Sequence, residues 1–191
     1  NAAWADVHLP MLAAAVAEVT GIKNILKNAA GRTRALEGLD DASGVVIGAA
    51  PDGPIAVTMN GATYMADLIG GQKTGLFFDQ RPNHEFISRL SKGARVLDVF
   101  SHVGGFGLAA LANGASSALA VDGSVPALEL ATQGAVAAGF GDKFSTRKGD
   151  AFDVLTSLRA EGAQFDVIVC DPPAFAPSRQ ALEAGLRAYE R

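Results

Sequence analysis

A single cysteine, Cys170, stands among 191 residues, which excludes an intrachain disulfide and any zinc site built on several thiolates. A reducing, cytoplasmic setting is the expectation that follows. Histidines number three, and His84 and His102 have no partner at metal-ligand spacing, so no metal is expected and structural, hydrogen-bonded roles are assigned to both. No apolar run reaches the roughly 18 residues that span a bilayer. The longest early one, residues 11–16, follows Asp6 and His8 without a basic lead-in, so neither a membrane helix nor a secretory signal is expected. Charge is sparse as well: 19% of residues are charged and the net is −4, which argues against a cationic coat but leaves room for a local basic stripe on nucleic acid. The chain opens on Asn1 and stops at Arg191 inside an apparent helix over 179–191, where Leu182, Leu186 and Tyr189 repeat at helical spacing. Both ends are expected to be cut.

What is present is enough apolar side chain, 49% of residues, to bury a substantial core. Residues 1–82 read as a small α+β domain. Trp4, Val7, Leu12, Ala15, Val16 and Val19 mark a helix begun or interrupted by Pro10 and closed near Gly21. Residues 24–26 form a short strand and 31–39 a charged turn or single helix. Alternating runs at 45–48, 55–59 and 62–68 are punctuated by Pro51-Asp52-Gly53-Pro54 and Asn60-Gly61. Both turns predict antiparallel hairpins, Asn60-Gly61 more strongly. From residue 83 helix and strand alternate, with helices over 83–90, 107–112, 124–138 and 151–160 and strands over 96–99, 118–121, 143–148 and 165–170. Such repetition builds a mostly parallel sheet with helices on both faces, a Rossmann-like α/β half-sheet of four strands across 83–191.

Several motifs end those strands. The first strand runs into Gly104-Gly105-Phe106-Gly107, where missing Cβ atoms let a ligand approach the backbone. The spacing departs from Gly-x-Gly-x-x-Gly, which weakens a nicotinamide reading. Asp98 faces the same crevice and would receive a cationic amino group; a dinucleotide enzyme would keep the helix N-terminus open for pyrophosphate. Asp122, ending the next strand, can accept hydrogen bonds from both hydroxyls of a ribose, or cap the following helix, a role that Ser124 fits as well. Asp150, beside Ala151, is an acceptor for an adenine amino group or a cap before Phe152, and the two roles are compatible.

The most specific element is Asp171-Pro172-Pro173-Ala174-Phe175. Two prolines stiffen the backbone and leave carbonyls facing a substrate amine or base edge, and Phe175 can stack on a target base. Residues 73–81, from Lys73 to Arg81, read as a flap with Phe77 or Phe78 near the adenine and Gln80 or Arg81 as polar contacts; the plain alternative is a linking strand with a solvated end. Cys170 reads as a small hydrophobe within a buried strand. The glycine turn, the acid after the next strand and the acid before two prolines together indicate an S-adenosylmethionine (SAM) methyltransferase.

With those residues in view, the chain resembles the bacterial class I SAM-dependent methyltransferases that make 5-methylcytosine in large-subunit ribosomal RNA. The likeness is carried by residues 73–81, 96–107, 121–124, 149–152 and 171–175 in that order, and runs from about Arg34 to the last residues. It implies a class I sheet of seven strands, three of them absent from this sequence, and a SAM cofactor. By the resemblance the cofactor is held by Phe78, Gln80, Arg81, Asp98, Phe100, Ser101, Gly104, Gly105, Asp122, Gly123, Ser124, Asp150, Ala151 and Asp171. Asp171, Pro172, Pro173 and Phe175 form the implied catalytic segment, and ribosomal RNA is the implied partner.

Where the family has an aromatic and a threonine before the two glycines, this chain has His102 and Val103, and the family's N-terminal PUA domain has no counterpart here. In the family a cysteine adds to C6 of cytosine so that C5 can take the methyl group. That cysteine falls beyond Arg191 and Cys170 is not equivalent to it, so cofactor binding without turnover is expected of this segment. Two alternatives stay open: methylation of a ring nitrogen or exocyclic amine, which needs no cysteine, and a non-enzymatic RNA-binding module with a vestigial fold, whose pocket would be blocked by side chains. A nicotinamide oxidoreductase ranks last. An exposed sheet edge would favour self-association into a homodimer.

Overall fold

The computed structural model describes residues 3–29, 32–71, 75–176, 180 and 182–189. Lys73 and Thr74 of the expected flap, and Arg179, Glu190 and Arg191 of the expected last helix, lie outside the described residues. Two compact units divide the chain, Asn1–Gly53 and Pro54–Arg191.

The first unit holds α1 (Ala3–Thr20), β1 (Ile25–Lys27), α2 (Arg32–Leu36) and β2 (Gly44–Ile47). Helix α1 passes unbroken through Pro10, although proline in a helix interior removes a hydrogen bond and normally starts or breaks the helix. The turn before it is tied down from outside: the Ala3 amide donates to the Glu37 carboxylate at 2.9 Å, and Asp6 pairs with Lys27 and Arg34, each at 2.7 Å. Arg34 is buried, bidentate on Asp6 and bonded to the Asp40 carbonyl, and these two cations hold the Asp6 carboxyl well below the usual carboxylate range.

Strand β2 pairs antiparallel with β1 and not with the strand after Pro54, so no hairpin forms across Pro51-Asp52-Gly53-Pro54. The local cause is Asn24, whose Oδ1 accepts the Ala49 amide at 2.9 Å and so draws the end of β2 back toward β1. Gly48 sits there at φ 76°, with the Lys23 carbonyl where a side chain would start.

In the second unit β3 (Ile55–Met59) and β4 (Ala62–Ala66) form the expected hairpin, with Asn60 and Gly61 at φ 51° and 76°, the left-handed pair a two-residue turn requires. After a single 3-10 turn (Phe78–Gln80) come α3 (Arg81–Leu90), β5 (Arg95–Val99), α4 (Gly105–Ala112), β6 (Ser117–Asp122), α5 (Val125–Ala137), β7 (Phe144–Lys148), α6 (Ala151–Ala160), β8 (Val167–Cys170) and α7 (Leu182–Tyr189). Strands β5 to β8 form one parallel sheet in the order β7-β6-β5-β8.

Alternation along the central strands sorts side chains onto two faces. Val96, Ala118 and Ala120 join α4, α5 and the hairpin in one core, while Leu97, Val99 and Val121 meet α6 in the other. The division at Gly53 and Pro54 differs from the boundary expected between residues 82 and 83, because β4 buries Ala62, Tyr64 and Ala66 in the first of these cores. Strand β8 was expected to be buried, yet Ile168 and Cys170 are exposed. Among the described residues β8 is paired on one side only, and these two lie on the face where α6 covers β5 and β6 but not β8.

Helix α5 approaches β4 closely enough that a Cβ on Gly134 would lie 2.8 Å from the Thr63 carbonyl oxygen. Glycine-to-alanine changes inside helices ordinarily stabilise by about 0.5–1 kcal/mol. Here the sign reverses, since backbone cannot yield as a flexible side chain does: Gly134→Ala is expected to destabilise by about 1–3 kcal/mol in urea unfolding. Unchanged or increased stability would show that the helix and hairpin separate at no cost.

Candidate functional site

Between Val99 and α4 the backbone enters the left-handed region three times, at Phe100 (φ 62°), His102 (φ 50°) and Gly104 (φ 80°). Two of these are not glycine, and such conformations persist only where neighbours enforce them. The tip of β6 does so: the Ser101 amide donates to the Val121 carbonyl at 3.0 Å and the His102 amide to Asp122 Oδ2 at 2.8 Å. From beneath, Asp98 accepts the amides of Phe106 and Gly107, the latter at 2.9 Å. Burial, and then the charges of Asp122 and Asp171, push its carboxyl up to about 7. Asp98 therefore does not line the crevice as expected but seals the N-terminus of α4, the place a pyrophosphate would need. Its second oxygen, Oδ1, is buried without a partner among the described residues.

Above this turn lies a cavity of about 800 Å³, bounded by the hairpin, the segment before α3, the glycine turn and the tips of β6 and β8. It is open, contrary to the blocked pocket of a vestigial fold. Four aspartates line it, Asp67, Asp79, Asp122 and Asp171, and no lysine or arginine does among the described residues.

Of the residues assigned from sequence, Gln80, Phe100, Ser101, Gly105, Asp122, Gly123, Ser124, Asp171, Pro172 and Pro173 meet in this cavity. Asp122 is half-buried and fixed, its Oδ1 accepting the Ser124 amide at 2.8 Å while Oδ2 holds His102. Ser124, not Asp122, caps α5 by accepting the Ala127 amide. Outside the lining lie Phe78 and Arg81, both exposed, and Gly104, whose positive φ serves the turn. Asp150 also stands apart: it caps α6 by accepting the Phe152 and Asp153 amides, and Ala151 is buried in the α6 core. Phe175 is half-buried with its ring 6.1 Å from that of Phe100 and 5.9 Å from that of Phe152.

Sequence patterns missed Tyr64 and gave His84 and His102 merely structural roles, yet all three line the cavity. No spacing rule could have found them, because they arrive from β4, α3 and the strained turn rather than from one motif. The Tyr64 hydroxyl donates to the Gly105 carbonyl at 3.1 Å, and burial raises its pKa. His84 is buried between Tyr64 and Phe106, and burial pulls its pKa down to about 4, so the ring is neutral at pH 7. His102 stands edge-on to Phe77 at 5.2 Å.

A parallel sheet with an acid-lined cavity at its strand tips is the architecture of a class I methyltransferase. Residues 22–190 match the S-adenosylmethionine-dependent methyltransferase family, and the chain belongs to that family. It is 40% identical over 159 residues to "Ribosomal RNA large subunit methyltransferase I" of Aeromonas salmonicida, a match that covers 82% of this chain and 40% of the relative. To the protein of the same description from Vibrio vulnificus it is 34% identical over 183 residues, covering 92% and 45%. The chain thus spans less than half the length of these relatives. Among solved structures, SMU.776, described as a methyltransferase and crystallised in complex with SAH, aligns with a TM-score of 0.64 at 27% identity, over 72% of this chain and 37% of that one. A SAM-dependent methyltransferase from Agrobacterium tumefaciens shares the fold, with a TM-score of 0.66 at 21% identity over 83% of this chain and 49% of that one.

Asp98 sets a pH dependence that can be read. The folded carboxyl keeps its proton up to about pH 7, whereas the unfolded one releases it near 3.8, so its contribution is most favourable below 3.8 and declines as pH rises toward 7. His84 contributes with the opposite sign between about 4 and 6.5, where the unfolded ring takes a proton that the folded one refuses. Asp98→Asn keeps an acceptor for the amides and removes only the first effect. Between pH 5 and 8 the wild type should lose on the order of 2 kcal/mol more unfolding free energy than Asp98→Asn. Parallel pH profiles for the two proteins would mean that Asp98 is ionised throughout.

Proposed function

We propose that this chain is the cofactor-binding part of a SAM-dependent methyltransferase that modifies large-subunit ribosomal RNA, with cytosine C5 as its target. The observation that carries the reading is the cavity itself: it offers carboxylates to a cation, and its helix N-terminus is closed to phosphate by Asp98. Family membership and the likeness to large-subunit ribosomal RNA methyltransferases support the cofactor and the RNA. The C5 assignment rests on the resemblance of the Asp171-Pro172-Pro173 segment and its neighbours to the cytosine enzymes.

The residues present fit the group. Asp122, oriented by two backbone amides, keeps a lone pair on each oxygen for a ribose hydroxyl. Gly123 leaves room over the backbone, and Asp122 and Asp171 offset the positive charge of a sulfonium. SAM supplies an electrophilic methyl group when bound. Pro172 and Pro173 donate no amide hydrogen, so the carbonyls of this stretch are left for the donors of an incoming base.

Cys170 is no activated nucleophile: partial burial and the adjacent Asp171 push its thiol pKa upward, away from the thiolate. The thiolate that C5 chemistry needs therefore has to come from another part of the intact protein.

The test uses the intact protein, large-subunit ribosomal RNA and SAM carrying a labelled methyl group, followed by digestion to nucleosides and mass spectrometry. Labelled 5-methylcytidine is the expected product. Label on a ring nitrogen or an exocyclic amine would overturn the C5 assignment while keeping the transferase, and absence of label would overturn the transferase. On the cofactor side, Asp122→Asn turns one acceptor into a donor and is expected to weaken SAM at least about tenfold in titration calorimetry. An unchanged affinity would remove Asp122 from the ribose site.

A further inference from the structure

We propose that Asn83 is a positioning residue for the cofactor: it fixes the Gln80 side chain so that the amide nitrogen, and not the oxygen, is offered to the ligand. This rests on the SAM reading of the cavity. Gln80 ends the 3-10 turn before α3, is half-buried and lines the cavity. Asn83, exposed in the first turn of α3, donates from Nδ2 to Gln80 Oε1 at 2.7 Å. With Oε1 taken, Nε2 is the end left over, and it has no hydrogen-bond partner among the described residues. Unlike the unpartnered atoms of His84 and Ser101, it is not sealed inside the protein.

Little else at this residue is free to change. The Gln80 amide of the backbone donates to the Phe77 carbonyl at 3.1 Å, and the Arg81 carbonyl accepts the Asn60 side chain from the hairpin turn at 2.7 Å. The backbone is thus held on both sides of the side chain. What remains open is the sense of the side-chain amide, and since its oxygen and nitrogen are nearly the same size, shape does not decide it.

Hydrogen bonding and charge decide it together. The charged side chains of the lining, among the described residues, are Asp67, Asp79, Asp122 and Asp171, all of them acceptors. A carbonyl oxygen turned toward them would add one more acceptor, whereas the nitrogen complements them and meets ligand acceptors that no carboxylate can satisfy. Other donors of the wall are committed or closed off: the Tyr64 hydroxyl bonds the Gly105 carbonyl, and Ser101 Oγ is buried. Gln80 supplies the neutral donor that the aspartates lack, and Asn83 keeps it turned to the cavity.

Asn83→Asp carries the test. A carboxylate in the first turn suits a helix N-terminus, so α3 is not weakened. Its oxygens only accept, however, so the Gln80 amide turns over and gives its nitrogen to position 83 instead of the ligand. Titration calorimetry with SAM is expected to show a loss of at least about fivefold, with a melting temperature equal to or above that of the wild type. The added negative charge by itself would favour a sulfonium, so it does not account for a loss. Gln80→Leu is expected to weaken SAM to a similar degree, and Asn83→Asp placed on top of it to cost nothing further. Asn83→Ala frees the Gln80 amide without recapturing it; it serves should the aspartate variant fold poorly, with an expected loss of at least about twofold. An unchanged affinity in Asn83→Asp would overturn the proposal, as would an equal loss when Gln80 is already replaced, because position 83 would then act without Gln80. A wild type that does not bind SAM would sink the SAM reading itself, an outcome distinct from variants that differ from a wild type that binds.

Discussion

The carboxyl of Asp98 beneath the glycine turn decides what this parallel sheet can hold. Open α/β sheets present ligands to the turn after their first strand, and the turn's own helix usually supplies amides for a phosphate. Here those amides point inward to Asp98, which is buried and held partly protonated near neutral pH. The start of α4 is thereby neutralised from within, and the turn above it must find its contacts at other strand tips. Asp122 meets that need twice over: it pins the strained backbone at His102 and stands in the cavity wall. The conformation of the turn and the position of the proposed ribose acceptor are one constraint, because the same carboxylate fixes both.

The hairpin is part of this machinery and not a separate module. Tyr64 reaches from β4 to the Gly105 carbonyl, and Gly134 lets α5 lie directly on the same strand. Both contacts depend on atoms that are missing: a Cβ at 134 would strike the hairpin backbone, and one at 105 would strike His84. The wall opposite the strand tips is therefore built from residues far apart in sequence, brought close by glycine.

That distinction separates the parts of the fold that are legible in the sequence from those that are not. The alternation of helix and strand after residue 83 was legible, because central parallel strands are apolar on both faces and end in glycine or acid. The tip residues Asp122, Gly123, Asp171 and Pro172 followed from the same logic. The partner of β2 was not legible, since Pro51-Asp52-Gly53-Pro54 resembles a hairpin turn and only the Asn24 side chain shows which way the strand is drawn. Exposure of Cys170 escaped too: a strand's composition does not reveal whether a helix covers its face. Asp150 takes the capping role, one of its two compatible readings, and of the two flap aromatics Phe77 lines the cavity while Phe78 is exposed. His84 and Tyr64 carry no pattern at all, because a cavity wall made by packing leaves no spacing in the chain.

An acid-lined cavity also has consequences for a polyanionic substrate. Asp67, Asp79, Asp122 and Asp171 repel phosphate groups, so on the proposed function only a base, neutral and planar, could come up to the tip of β8 while the RNA backbone stays outside. The same four carboxylates attract a sulfonium more strongly than the uncharged thioether that remains once the methyl group has left. Binding of the donor and release of the spent product are then governed by one field, with no change in shape required of the protein.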